Sequence, residues 1–333
     1  MKKLSGSPGG LMIEKIALLI ASTLIGFSVA AQPYPNKPIK MILGFAPGGP
    51  TDVIARVVAQ DMTLSLGQGV VVENRTGANS LIATQAVARA APDGYTLLAT
   101  TLAHNVNHVL MGEKTQYDPI KNFTPVSLVA VLPLVVVTKP DSPFNSLQDI
   151  VKTAKAKPGE VTYGSAGNGG SAHLAAALLE TLSGAKMTHV PFRGNAPALA
   201  EVMAGRVSFM FYPMVGIPDQ VAQKRLKALA ITTDKRHPDF PAAPTTAESG
   251  FPGFDEYTPG VGVVGPAGMP AAIVSRLNQA IKASLARPET RERLRQLGAT
   301  TEGGSTPAEF TTYLQKDRER WARVIKAAGV TAE

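Results

Sequence analysis

Tyr163-Gly164-Ser165-Ala166-Gly167-Asn168-Gly169-Gly170-Ser171-Ala172-His173 joins a short β-rich run, Val161-Thr162-Tyr163, to an apolar run with helical spacing over residues 174–182. It reads as strand, glycine-rich turn, helix. Successive glycines leave backbone N–H groups uncovered, and the helix adds its own unpaired first-turn N–H groups and the positive end of its dipole. Ser165 and Ser171 add hydroxyls. That combination suits an anion, above all a carboxylate or phosphate. Taken alone, the stretch is equally readable as a plain βα turn that binds nothing.

A second stretch repeats the design. Phe45-Ala46-Pro47-Gly48-Gly49-Pro50-Thr51-Asp52 follows a strand-like run over 39–45 and precedes apolar residues at helical spacing, Ile54, Val57, Val58 and Met62. Two such turns facing each other across a cleft would hold one small anion from both sides.

The chain has 333 residues, room for two domains of ordinary size. Hydrophobic content of 44% and charged content of 17% fit a soluble globular protein and exclude a disordered one. The net charge of +8 is spread along the chain without aromatic interleaving, which argues for a solvated surface and against nucleic-acid binding. Without cysteine there is no disulfide framework and no thiolate chemistry. Lys2, Lys3 and Lys15 precede an apolar run over 16–29, and Ser28-Val29-Ala30-Ala31-Gln32 offers small residues for cleavage. Residues 1–31 are therefore expected to be a secretory signal peptide, with Met12 a second candidate start. The apolar run is short for a membrane span, and no later one is long enough. The mature chain is expected to be soluble outside the cytoplasm.

Along the rest of the chain, strands are expected at 70–72, 95–100, 186–190, 207–212 and 228–232. Ser80 is expected to cap a helix running to about residue 90. Strands alternating with helices imply a parallel sheet. The apolar run 126–138, broken at Pro133, reads as two strands with passage between domains at the break. Ser146-Leu147-Gln148-Asp149 is a helix N-cap, and Gly184 closes the helix that follows the glycine turn. Residues 261–264 read as the strand of the return crossing. Pro270 opens a helix to about 286. Thr306-Pro307-Ala308-Glu309 is a capping box with proline at the first helical position, and opens a last helix to about 328 that carries Trp321 as a packing residue.

Signals of catalysis are weak. Residues 167–172 fit G-x-G-x-x-A, but the next strand ends without the acidic residue a dinucleotide site wants. Ser165 lacks the first glycine of a G-x-S-x-G elbow, and no P-loop occurs. His104 and His108 are four apart with no third ligand, so a structural role, or one of them lining a cleft, outweighs a metal site. No catalytic residue, metal ligand or cofactor is assigned.

Several motifs carry a resemblance. Tyr34-Pro35-Asn36-Lys37-Pro38-Ile39, Pro47-Gly48-Gly49 with Asp52, Val72-Glu73-Asn74-Arg75, Pro92-Asp93-Gly94-Tyr95, Tyr117-Asp118-Pro119 and Phe123-Thr124-Pro125-Val126 open the set. Tyr163-Gly164-Ser165, His173-Leu174, Pro191-Phe192-Arg193-Gly194, Pro197-Ala198-Leu199, Pro244-Thr245 and Gly265-Pro266-Ala267-Gly268 continue it in order over essentially the whole mature chain. The chain resembles the Bug family, periplasmic solute-binding receptors of tripartite tricarboxylate transporters.

The resemblance implies an α/β, two-domain periplasmic-binding-protein (Venus flytrap) fold with crossing hinge strands. Domain one would comprise 32–134 and 255–333, and domain two 135–254. It implies a periplasmic, monomeric receptor for a small carboxylate, with membrane subunits of a tripartite tricarboxylate transporter as partners. A secreted hydrolase acting on a carboxylate-bearing substrate is the alternative. By motif position, the ligand residues would be Ala46, Pro47, Gly48, Gly49 and Thr51 in one loop. In the other they would be Ser165, Ala166, Gly167, Asn168, Gly169, Gly170 and Ser171, with His173. Thr101, His104, Asn107, Arg193, Asn195 and Ala196 would line the cleft. The chain departs from the family at Tyr212, where many relatives carry an acidic residue. A site with Tyr212 and no negative charge at that strand end favours an acid without an ammonium group, a dicarboxylate or an aromatic carboxylate.

Overall fold

In the computed structural model, which describes residues 33–255 and 258–332, the chain separates into Met1–Asn36 and a body from Lys37 to Glu333. The expected signal peptide, residues 1–31, lies outside the described residues. Every element below belongs to the body.

The first half runs β1 (Ile39–Leu43), α1 (Pro50–Leu66), β2 (Val70–Asn74), α2 (Leu81–Ala88), β3 (Thr96–Thr100), α3 (Ala103–Met111) and β4 (Phe123–Val131). After β5 (Leu134–Thr138) and α4 (Leu147–Ala156) come β6 (Thr162–Ser165), α5 (Ser171–Ser183), β7 (Thr188–Pro191), α6 (Asn195–Met203) and β8 (Met210–Pro213). Then follow α7 (Ile217–Ala222), β9 (Lys227–Ile231), β10 (Gly260–Pro266), α8 (Ala271–Ala286), α9 (Pro288–Gln296) and α10 (Pro307–Ala328).

These strands build two sheets on one plan. The first has the order β2-β1-β3-β10-β4. In the second, β8-β5-β9 meets the β6-β7 pair through a parallel bridge between Tyr163 and Phe209, where Gly164 N–H donates to Phe209 O at 3.1 Å. Its order is therefore β7-β6-β8-β5-β9. In both sheets the glycine turn follows the strand in the second place, β1 or β6. The two turns occupy equivalent positions in two lobes, as their sequences suggested.

The expectation of parallel sheets holds for only part of each. β2, β1 and β3 pair in parallel, but β10 runs antiparallel to β3 and β4, and β5 antiparallel to β8 and β9. The reason is topological. Most of the parallel strands follow βα units, whereas β5 and β10 enter their sheets from the other lobe, and the crossing sets their direction. The two crossings touch, with Leu132 N–H donating to Pro259 O at 2.8 Å. β5 is buried at every position, as its unbroken apolar run requires of a strand covered on both faces.

Most end signals operate as read. The Ser146 hydroxyl accepts from Asp149 N–H, Thr306 and Glu309 form a reciprocal capping box, and Gly184 ends α5 in the left-handed region. Ser80 does not cap. Ala78, Asn79 and Ser80 all have positive φ, of 44°, 48° and 70°, and the Ser80 hydroxyl makes no capping bond to α2. Such residues cost roughly 1–3 kcal/mol each and persist where the surroundings impose them.

Candidate functional site

The carboxyl ends of β1, β2 and β3 face those of β6, β7 and β8, and the loops leaving them enclose two adjoining cavities. This is where α/β sheets bind ligands. The inner cavity, of about 30 Å³, is walled by the starts of four helices: Thr51 of α1, Leu102 and Ala103 of α3, Gly170 and Ser171 of α5, and Asn195 of α6. Two belong to the first lobe and two to the second. First-turn N–H groups have no acceptor within their own helix, and each helix start carries a partial positive charge. Thr101, Asn79, Phe45, Ala166, Pro213 and Gly260 complete the inner wall together with the apolar residues Leu132, Pro259 and Val261. No lining residue of either cavity is acidic.

The outer cavity, of about 270 Å³, is lined by Phe45, Asn79, Asn107, Ala166, Gly167, Asn168, Phe192 and Arg193 among others, and by Ala332 near the end of the chain. Arg193 is exposed and makes no hydrogen bond or ion pair to the described residues, so its guanidinium is available to a ligand.

Each glycine turn is held from behind. In the first, Asp52 accepts from Gly48 N–H at 3.0 Å, Arg56 Nε at 2.9 Å and Asn74 Nδ2 at 2.9 Å. Burial opposes ionisation of Asp52, but these donors outweigh it and hold the carboxyl below its ordinary range. In the second turn, Ser165 Oγ lies 2.6 Å from His189 Nε2 and accepts from Gly167 N–H, while Gly169 N–H donates to His173 Nδ1 at 2.9 Å. His173 and His189 stack with ring centres 4.0 Å apart. Burial pushes both imidazoles down, to about 3 for His173 and about 4 for His189. A Cβ on Gly169, with φ at 73°, would sit 2.8 Å from Val106 and Leu110 of α3, so only glycine fits this approach of the lobes.

The expected ligand residues thus divide. Thr51, Thr101, Gly170, Ser171 and Asn195 line the inner cavity, Asn107, Gly167, Asn168 and Arg193 the outer, and Ala166 both. Ala46, Pro47, Gly48, Gly49, Gly169 and Ala196 line neither. Ser165 is fully buried and committed to its own turn, His173 likewise, and neither lines a cavity. His104 is 1% exposed, with Nε2 2.7 Å from Pro119 O and its ring against Phe123. Burial pushes it down to about 4, and it serves the core. Tyr212 is buried within β8 and lines neither cavity. Asn79 was missed. It touches both cavities, and its sequence context, Gly77-Ala78-Asn79-Ser80, was read only as a helix start.

Residues 54–330 match the model of the tripartite tricarboxylate transporter family receptor, and the chain belongs to this family. Many solved structures are similar, and three of them follow. Periplasmic binding protein BugD is 33% identical, with a TM-score of 0.85 over 90% of this chain and 100% of its own. A Rhodopseudomonas palustris protein solved with adipate is 31% identical, with a TM-score of 0.85 over 90% and 99%. MatC of the same organism, with bound malate, is 32% identical, with a TM-score of 0.83 over 88% and 100%. The family is one of solute-binding receptors, so the chain is a receptor and the hydrolase alternative is set aside. The Ser165–His189 pair fits that outcome, since its hydroxyl is sealed inside the turn.

Proposed function

We propose that this receptor captures a dicarboxylate outside the cytoplasm. One carboxylate lies in the inner cavity against the helix starts, and the second reaches through the outer cavity toward Arg193. The observation that carries this reading is the convergence of four helix N-termini, two from each lobe, on one cavity without an acidic lining residue. The first turns of α1, α5 and α6 supply backbone donors, while those of α3 are taken up by Thr101 and Leu102. Each helix start adds a partial positive charge worth about 0.3–1 kcal/mol to an anion and up to about 2 kcal/mol in a partly buried site. The adipate and malate bound to relatives are both dicarboxylates. Phe45 and Phe192 in the outer cavity support an aromatic carboxylate as the second reading.

On this reading the lobes divide near residues 134 and 254, residues 1–31 direct export to the periplasm, and the receptor acts as a monomer that delivers ligand to transporter membrane subunits. The test is isothermal calorimetry of the mature protein with dicarboxylates of increasing length, benzoate, and monocarboxylates of matched length. Dicarboxylates should bind more tightly than the matched monocarboxylates by tenfold or more. Equal affinity for both would remove Arg193 from the site, and failure of every acid would remove the carboxylate reading.

A further inference from the structure

The loop after β2 carries an acceptor that no role described so far uses. Asn79 is 9% exposed and lines both cavities. Its amide orientation follows from its partners. Asn107 Nδ2 donates to the backbone carbonyl of Asn79 at 2.9 Å, and a carbonyl can only accept. The other side-chain atom of Asn107 is therefore Oδ1, and the Asn79 atom 3.2 Å from it must be the donor, Nδ2. That leaves Asn79 Oδ1 as a carbonyl oxygen, buried and without a hydrogen-bond partner among the described residues. Buried acceptors of this kind are uncommon and call for a partner.

The position of that oxygen defines the partner. It lies 3.7 Å from the point where a Cβ on Gly170 would stand, beside the start of α5 and its free N–H groups. The rest of the inner wall is rich in donors, which a carboxylate satisfies. Asn79 Oδ1 repels carboxylate oxygen and requires a donor close to it. Asn195 Oδ1, also at the inner cavity, is unpartnered in the same way.

We propose that Asn79 makes this receptor selective for a carboxylate with a hydroxyl on the adjacent carbon, a 2-hydroxy dicarboxylate. The proposal rests on the carboxylate-receptor reading above. An ammonium at the same carbon would also donate, but neither cavity offers an acidic side chain to neutralise it. The three successive left-handed residues, Ala78 to Ser80, hold the carboxamide in this position, and asparagine tolerates that backbone better than most residues. Asn79 belongs to the first lobe and Gly170 to the second, so separation of the lobes uncovers the oxygen for an entering ligand.

The experiment is calorimetry with matched pairs: malate against succinate, 2-hydroxyglutarate against glutarate, and aspartate as the ammonium analogue. The hydroxy acid of each pair should bind tenfold or more tightly than its partner, and malate more tightly than aspartate. Asn79→Gly keeps the left-handed backbone and removes the carboxamide. It should abolish the difference between malate and succinate, bringing the two acids to one level of affinity. Equal affinity of malate and succinate for the unaltered protein overturns the proposal whatever the variant does. A preference that survives in Asn79→Gly overturns the role of Asn79. If none of the acids binds, the carboxylate-receptor reading itself fails and the proposal falls with it.

Discussion

Ser165 and Ser171 sit on one turn and face opposite ways. Removing the Ser165 hydroxyl leaves His189 Nε2 and Gly167 N–H without their partner, and an unpaired buried group costs about 1–3 kcal/mol. Ser165→Ala should therefore lower the melting temperature without ligand by several degrees. Ser171→Ala should leave it nearly unchanged but weaken ligand binding, since Ser171 lines the inner cavity. Calorimetry and thermal melts of both variants separate the roles, and a Ser165→Ala protein that melts like the parent contradicts the assignment. Arg193→Gln should weaken dicarboxylate binding by roughly tenfold, the worth of a hydrogen bond to a charged group, and leave a monocarboxylate unaffected. The glycine pattern made the turn legible in the sequence. Which serine lines the cavity was not legible, because His189, further along the chain in β7, holds the Ser165 hydroxyl within the turn.

At the scale of the element, α5 begins with an imidazole that reaches back past the N-cap Gly170. His173, in the first turn, reaches back to the N–H of Gly169 and fixes the turn ahead of the helix. Only a neutral ring can accept that bond, and burial keeps it neutral. His173→Gln can reach back with a carbonyl oxygen and should retain most of the ligand affinity. His173→Leu should lose tenfold or more, measured by calorimetry, and equal affinities for the two variants would show that the bond does not matter. Helix ends with strong local chemistry, at Ser146, Gly184 and Thr306, could be read directly. α9 could not. Its nine residues, PETRERLRQ, bury only Thr290 and Leu294, too little apolar periodicity to register. The direction of β5 and β10 was equally hidden, since it depends on which lobe the chain comes from and not on residues within the strand.

For the whole molecule, two buried histidines, His104 and His173, and the half-buried His189 set a response to acid. Unfolded imidazoles titrate near 6.5, whereas His104 and His189 are pushed down to about 4 and His173 to about 3. Above about pH 6.5 both states are neutral at these sites and stability is intact. As pH falls from 6.5 toward 4, the unfolded chain takes up protons that the folded one refuses, and stability is lost. For the fully buried His104 the loss reaches about 3 kcal/mol by pH 4. Melting temperatures measured from pH 7.5 to 4.5 should fall, and His104→Phe should flatten the profile; a parent profile already flat would contradict this account. The inner cavity, of about 30 Å³, is too small for a whole dicarboxylate, so on the proposed reading a ligand enters when the lobes part. Small-angle scattering should show a smaller radius of gyration with ligand than without if the free receptor rests open.

The single tryptophan gives that motion an optical signal. Trp321 of α10 is buried with Leu102 and Val106 of the first lobe and Leu174 of the second, and α10 packs on both α3 and α5. Its indole N–H donates to the Asp317 carboxylate at 2.9 Å. A chromophore wedged between two moving bodies changes its surroundings whenever they separate, and here no other indole contributes background. Intrinsic emission, excited selectively at the red edge, can therefore follow capture and release in an unlabelled receptor, on the millisecond timescale of a stopped-flow instrument.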